Sequence, residues 1–215
     1  TLQSLSAADV AVVLIDAQEG MGDQDARLIG LVLQSGRPLV IAVNKWDGLD
    51  SHQRQRVLSE LERRLDFVSY ARRVHISALH GSHLGLLMKA ILETHRAAHQ
   101  ELSSKVLTKT LEVAVAAHTP PIRQGRAASL RYAHLGGQMP LRIIIHGNRS
   151  KTIPDSYRRY LANRFRDKFK LIGVPLMIDF RDGDNPYSER KNKLSQRQIA
   201  KRRRMIRHVK GKGKR

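Results

Sequence analysis

Asn44, Lys45 and Asp47 stand in the order N-K-x-D directly after an apolar run, Leu39 to Val43. A carboxylate at the fourth place of such a loop can accept from both N1–H and the exocyclic amine of guanine. Adenine offers a lone pair and no amine at those positions, so it would leave the charge unpaired. Unpaired groups of this kind make hydrogen-bonded rejection strong, on the order of 10⁴-fold. Asn44 can bridge the base edge and a neighbouring loop, while the Lys45 stem can lie on the purine face. A second segment, Ser77-Ala78-Leu79, ends the next apolar strand, and its backbone N–H groups can donate to guanine O6. Either segment alone reads as a polar turn or a helix cap; the two in register predict a guanine site.

The elements that must hold these loops alternate in type. Val10–Ile15, Leu39–Val43 and Val74–Ser77 read as strands, the first two continuous and apolar as in a sheet covered on both faces. Asp23–Ser35, Ser51–Leu65 and His83–His99 have helical spacing, with Val57, Leu58, Leu61 and Leu65 on one face of the second. Strand, helix, strand, helix, strand, helix predicts a parallel doubly wound sheet, which places ligands at strand C-termini. Three strands leave an exposed edge, and Thr1 is neither a starter Met nor part of a signal-peptide pattern. Both features suggest a piece of something longer. No G-x-x-x-x-G-K-[ST] occurs, so the backbone cradle and Lys that hold phosphates lie outside this chain. Asp16-Ala-Gln-Glu-Gly20 reads as a strand-end turn in preference to a Mg²⁺ and γ-phosphate loop.

The pattern then changes. Ser104–His118 is helical and is stopped by Pro120-Pro121. Strands Ser129–His134 and Leu141–His146 are predicted to join through a turn at Gly136-Gly137. Helix Pro154–Lys170 carries Tyr157, Leu161, Phe165 and Phe169 as its apolar stripe, and Pro175–Phe180 is a last strand. The order α-β-β-α-β predicts helices on one face of a sheet. No G-x-x-G phosphate clamp occurs in this part. Arg158, Arg159, Arg164 and Arg166 read equally well as a solvated face or as RNA contacts. Beyond Gly183, Ser195-Gln-Arg-Gln198 resembles a capping box opening a helix to about Val209.

Charge separates the same three parts. The chain has 39 Lys and Arg against 19 Asp and Glu, a net charge of +20. Residues 1–98 are neutral overall, whereas 99–183 carry a net +9 and 184–215 a net +11. Polyphosphate is the natural partner of the basic parts, because each neutralised phosphate releases counterions. A membrane surface is disfavoured, since the tail lacks an apolar face with Trp or Phe. Lys201, Arg202, Arg203, Arg204, Arg207, Lys210 and Lys212 are the candidate RNA contacts. If about six basic side chains reach phosphates, log affinity falls with log salt at a slope of roughly −4 to −5. The chain has no Cys, and His95 and His99 are separated by Arg-Ala-Ala without a metalloprotease Glu, so no metal site is expected. No Ser/His/Asp or paired-carboxylate arrangement stands out, and no catalytic residue is named.

Val40–Asp47, Ser77-Ala-Leu-His-Gly81, the HGN at 146–148, Pro154-Asp-Ser-Tyr-Arg-Arg-Tyr160 and Asn185-Pro-Tyr together resemble the bacterial tandem-GTPase family Der (EngA). That family has two GTPase domains followed by a KH-like domain and is implicated in large ribosomal subunit assembly. The resemblance covers essentially the whole chain. It implies an α/β fold with a partial P-loop GTPase-type parallel sheet, then an α+β KH-like domain and a basic C-terminal extension. The implied divisions are 1–99, 100–184 and 185–215. Asn44, Lys45 and Asp47 become the base-specificity loop, and Ser77, Ala78 and Leu79 the loop supporting it. GTP or GDP is the implied ligand, with Mg²⁺ held in the intact protein by residues outside this chain. The implied partners are the large (50S) ribosomal subunit, its rRNA and the upstream GTPase domains, with no membrane. A cytoplasmic, ribosome-associated GTP hydrolase follows from that reading. The alternative is a nucleotide-independent RNA- or protein-docking module in which the GTPase remnant is only scaffold.

Overall fold

A computed structural model describes residues 5, 7–122 and 125–182. Two three-stranded sheets lie within the compact unit that ends at Asp182. The first contains β1 (Ala11–Asp16), β2 (Leu39–Asn44) and β3 (Arg72–His75), all parallel in the order β1-β2-β3. Its helices are α1 (Asp23–Gln34), α2 (Ser51–Arg64) and α3 (Leu84–His99). The run from Leu39 to Val43 is completely buried. Leu39, Ile41 and Val43 pack with Ile29, Val32 and Leu61 of α1 and α2. Val40 and Ala42 pack on the opposite side with Ala90 of α3. A period of two in side-chain direction therefore feeds two separate cores, which is why both parities of β2 are apolar. Asp50 caps α2, accepting from Gln53 N–H at 2.8 Å while Gln53 Oε1 accepts from Asp50 N–H at 2.9 Å. On β1, Val12 and Leu14 remain exposed.

The second sheet holds β4 (Ser129–Gln138), β5 (Leu141–Asn148) and β6 (Leu176–Asp182). β4 pairs antiparallel and β6 parallel with the central β5. α4 (Ser104–Ala117) and α5 (Asp155–Phe169) share one core with one face of it: Leu107 and Leu111 from α4, Leu161 and Phe165 from α5, Ile143, Ile145 and Ile178 from the strands. Tyr157 and Tyr160 anchor α5 to α4 by donating to His118 O at 2.6 Å and Ala114 O at 2.9 Å. Burial pushes the Tyr157 hydroxyl up to about 12.

The turn between β4 and β5 differs from the sequence expectation. Gly136 and Gly137 lie inside β4, and the chain reverses at Met139-Pro140. The glycines mark a register irregularity between Leu135 and Gly137. A Cβ at Gly136 would sit 2.6 Å from Ile144 Cδ1, so the glycine lets a neighbouring side chain lie over the strand. The four α5 arginines are also not equivalent. Arg159 and Arg164 are exposed, whereas Arg158 lies over the Phe180 ring at 5.2 Å and Arg166 over the Tyr70 ring at 4.1 Å.

The α5–β6 loop fastens the second sheet to the first. Leu39 N–H donates to Gly173 O at 2.7 Å, and Gly173 N–H donates to Tyr70 O at 2.8 Å. Gly173 has φ +74°, and a Cβ there would fall 2.6 Å from Leu39 O. The helix expected near Ser195–Val209 and the basic tail lie outside the described residues. Among the described residues no helix is long and apolar enough to cross a membrane.

Candidate guanine-nucleotide site

The C-terminal ends of β1 and β2 are in register, with Asp16 opposite Asn44, and Ala17 N–H donates to Asn44 O at 2.9 Å. Lys45 then turns the chain through the left-handed region, at φ 60° and ψ 29°, into one 3-10 turn, Trp46–Gly48. Such a conformation costs an L residue about 1–2 kcal/mol. Two contacts hold it: Lys45 Nζ lies 2.5 Å from Asp16 Oδ2, and Trp46 N–H donates to Ile76 O at 3.1 Å. The Lys45 partner keeps the Asp16 carboxyl below its ordinary range, with Gln18 N–H adding at 2.9 Å. Asp16 is thereby committed to positioning Lys45, as suits a strand-end turn over residues 16–20.

The second loop meets the first. Asn44 Oδ1 accepts from Ala78 N–H at 2.9 Å, so Asn44 bridges the loops as its place in the motif suggested. The Ala78 N–H expected to face guanine O6 is therefore occupied by Asn44 in this arrangement. Ser77 is almost fully buried and its N–H donates to Ser82 O at 3.1 Å. His80 N–H donates to Ser77 Oγ at 3.3 Å, and His80 Nε2 lies 3.1 Å from Asp47 Oδ2. The Ser77 hydroxyl, with backbone N–H groups and His80 assisting, holds the Asp47 carboxyl below its ordinary value. At neutral pH Asp47 is then an acceptor only, the state that pairs with the two donors of guanine. Leu79 is exposed beside it. This donor and acceptor set fits a guanine base.

Trp46 stacks on His75 at 4.0 Å between ring centroids, and the Arg54 guanidinium lies 5.9 Å from the indole centroid. Burial pushes His75 below the ordinary imidazole value, with His83 and Arg73 adding, which favours a neutral ring in the stack. Asp16 and His80 are the residues that motif reading missed. The turn spacing from Ser77 to His80 was visible, but the return of the ring onto Asp47 depends on where β2 lies beside β3. At the other end of α3, Asp9 joins His95 and His99, with one ligand atom from each within 4.8 Å of the others. The i,i+4 spacing shows the histidine pair and not the aspartate. Of the sequence-predicted residues, the structure brings Asn44, Lys45, Asp47, Ser77, Ala78 and Leu79 to adjoining loops; Lys201 to Lys212 lie outside the described part.

A parallel sheet with the N-K-x-D and S-A-L loops at its strand ends, continued by an α-β-β-α-β domain, defines the class as a GTPase-type fold joined to a KH-like domain. Comparisons agree part by part. Residues 1–97 match the elongation factor Tu GTP-binding domain, and residues 101–181 match the KH-domain-like C-terminal domain of EngA bacterial GTPase enzymes. Over 98% of its length the chain is 51% identical to GTPase Der of Tolumonas auensis, covering 42% of that protein. Over 99% it is 49% identical to GTPase Der of Thioalkalivibrio sulfidiphilus, covering 46%. Era of Aquifex aeolicus aligns more loosely, at 20% identity and a TM-score of 0.39 over 84% of this chain and 67% of that one. The chain matches the C-terminal portion of proteins of the GTPase Der (EngA) family. It spans less than half the length of these curated relatives.

Proposed function

We propose that this chain supplies the base-reading half and the RNA grip of a GTP-binding, GTP-hydrolysing factor for large (50S) ribosomal subunit assembly. The observation that carries this reading is the Asn44–Ala78 link beside an ionised, Ser77-bonded Asp47. Residues 1–99 form the base-reading part, 100–184 the KH-like part and 185–215 the basic extension. The exposed Val12 and Leu14 on one face of edge strand β1 are what a further helix of a GTPase fold would cover, as further strands would pair its open edge. GTP or GDP binds with its base between residues 44–47 and 77–79. Its phosphates and Mg²⁺ are handled by residues outside this chain, because no phosphate loop occurs in it. Lys201, Arg202, Arg203, Arg204, Arg207, Lys210 and Lys212 contact rRNA, and the place of action is the cytoplasm, on the ribosome.

Asp47→Asn in the intact parent protein tests the base reading. An amide in place of the carboxylate presents an N–H₂ that suits a carbonyl where guanine has its amine. The preference should pass from guanine to xanthine nucleotides, with GDP affinity falling on the order of 10²-fold or more. Competition titrations with GDP, XDP and ADP measure it; an unchanged GDP-to-XDP ratio overturns the assignment. The scaffold reading predicts that Asp47→Asn leaves the nucleotide preference of the parent unchanged.

A further inference from the structure

Among the described residues, α4 and α5 cover one face of the sheet β4-β5-β6 and no helix covers the other. Its other face is not an ordinary polar surface. Tyr132 pairs across the strands with His146, and His146 with Arg181, giving one continuous row over all three strands. His134 stands one position along the same face of β4. The three rings touch: His134 and His146 centroids are 5.1 Å apart, Tyr132 and His134 5.5 Å, Tyr132 and His146 5.9 Å. A register irregularity between Leu130 and Tyr132 leaves Arg131 as the extra residue and turns Tyr132 outward while Leu130 packs on the core. Bulges commonly re-aim a side chain in this way near functional sites.

We propose that this open face is a stacking platform for single-stranded RNA, with Tyr132, His134 and His146 receiving unpaired bases and Arg181 meeting a phosphate at the end of the row. The proposal rests on the RNA-binding reading above and assigns it a surface. A row of rings already stacked through His134 is a surface that flat, unpaired bases can extend; a duplex would keep its bases out of reach. Burial, assisted by His146 and Arg181, pushes His134 below the ordinary imidazole value, consistent with a neutral ring at physiological pH. Arg142 is tied to Asp179 at 2.5 Å, which leaves Arg181 as the cation of the aromatic row. An RNA strand is favoured over a folded protein partner by the +9 charge of residues 99–183. The domain also lacks a G-x-x-G clamp that would grip RNA elsewhere on it.

The test is fluorescence titration of the 215-residue chain with a labelled single-stranded RNA dodecamer and with an abasic strand of equal charge. Phosphate contacts fade with salt whereas stacking does not, so each titration is run over a salt series to about 0.3 M. Tyr132→Ala combined with His146→Ala should weaken RNA binding at least tenfold, since each base–aromatic stack carries about a tenfold effect. The salt slope and the affinity for the abasic strand should stay as in wild type. Tyr132→Phe should retain wild-type affinity, because stacking needs the ring and not the hydroxyl, and thermal melts check that each variant is folded. A double variant that binds RNA like wild type overturns the platform alone and leaves that face to a protein partner. A wild-type chain that binds neither strand at low salt overturns the RNA reading together with it.

Discussion

The two sheets use the same number of strands and bury them differently. In β1-β2-β3 the central strand feeds a core on each side, so neither face of β2 can meet a ligand and binding is confined to the strand ends. There the chain must stop being regular: Lys45 turns left-handed, and Ser77 sits in a tight bridge to Ser82. In β4-β5-β6 the helices occupy one face, so the other can display Tyr132, His134 and His146 as a surface. In the proposed function the first sheet would read a single base edge-on by hydrogen bonds, and in the proposed platform the second would meet bases face-on. Coverage by helices thus decides which kind of recognition a sheet can perform.

The largest effect that sharpens this contrast is on stability. Phe165 is fully buried beneath the second sheet, while Tyr132 stands on its uncovered side. Phe165→Ala should cost about 3–5 kcal/mol through lost transfer energy and a residual cavity. Tyr132→Ala should stay within roughly 0.5 kcal/mol, as surface changes do. Urea unfolding of both variants measures the difference. Comparable losses would mean that the Tyr132 face is packed after all, and the distinction between the sheets would go.

A smaller effect concerns the junction between the two sheets. Gly173 accepts from Leu39 N–H and donates to Tyr70 O while holding a positive φ. An alanine there would meet Leu39 O within 2.6 Å and adopt a disfavoured backbone conformation. Gly173→Ala should cost roughly 1–3 kcal/mol. The loss should appear as faster amide hydrogen exchange at Leu39, the first residue of β2, with the Ile143 and Ile145 amides little changed. Unchanged Leu39 protection would show that the sheets do not depend on this fastening.

Much of this was legible in the chain. Period-two burial on both sides of β2, helical stripes such as Tyr157, Leu161 and Phe165, and the Pro120-Pro121 stop are local signals, and each element formed within a few residues of its expected place. The meeting of the two candidate loops was legible because N-K-x-D and S-A-L each follow a strand. What escaped depended on partners remote in sequence. Gly136-Gly137 read as a turn by composition, yet the glycines serve Ile144 on the neighbouring strand. Arg166 read as a surface charge until Tyr70, nearly a hundred residues earlier, gave it a ring to lie on. Asp16 read as an ordinary turn residue, because its tie to Lys45 exists only once β1 and β2 lie side by side.

That tie makes the smallest prediction and the one that best separates positioning from recognition at the strand ends. Asp16 touches no base in the proposed site; it sets the direction of Lys45. Asp16→Asn in the intact parent should leave the preference for guanine over xanthine unchanged while lowering GDP affinity. An ion pair this accessible is worth about 0.2–1 kcal/mol, so the loss should be at most about fivefold. The pH dependence follows from the direction of the Asp16 shift. Its folded carboxyl lies below the ordinary value of 3.8, so the stabilisation is fully present above the unfolded value and fades only as pH falls through the lower folded one. Between pH 8 and 5 the ratio of wild-type to variant affinity should therefore be flat. A gap that closed within that window would assign the effect to another titrating group, and a variant that accepted xanthine nucleotides would make Asp16 part of the base-reading set itself.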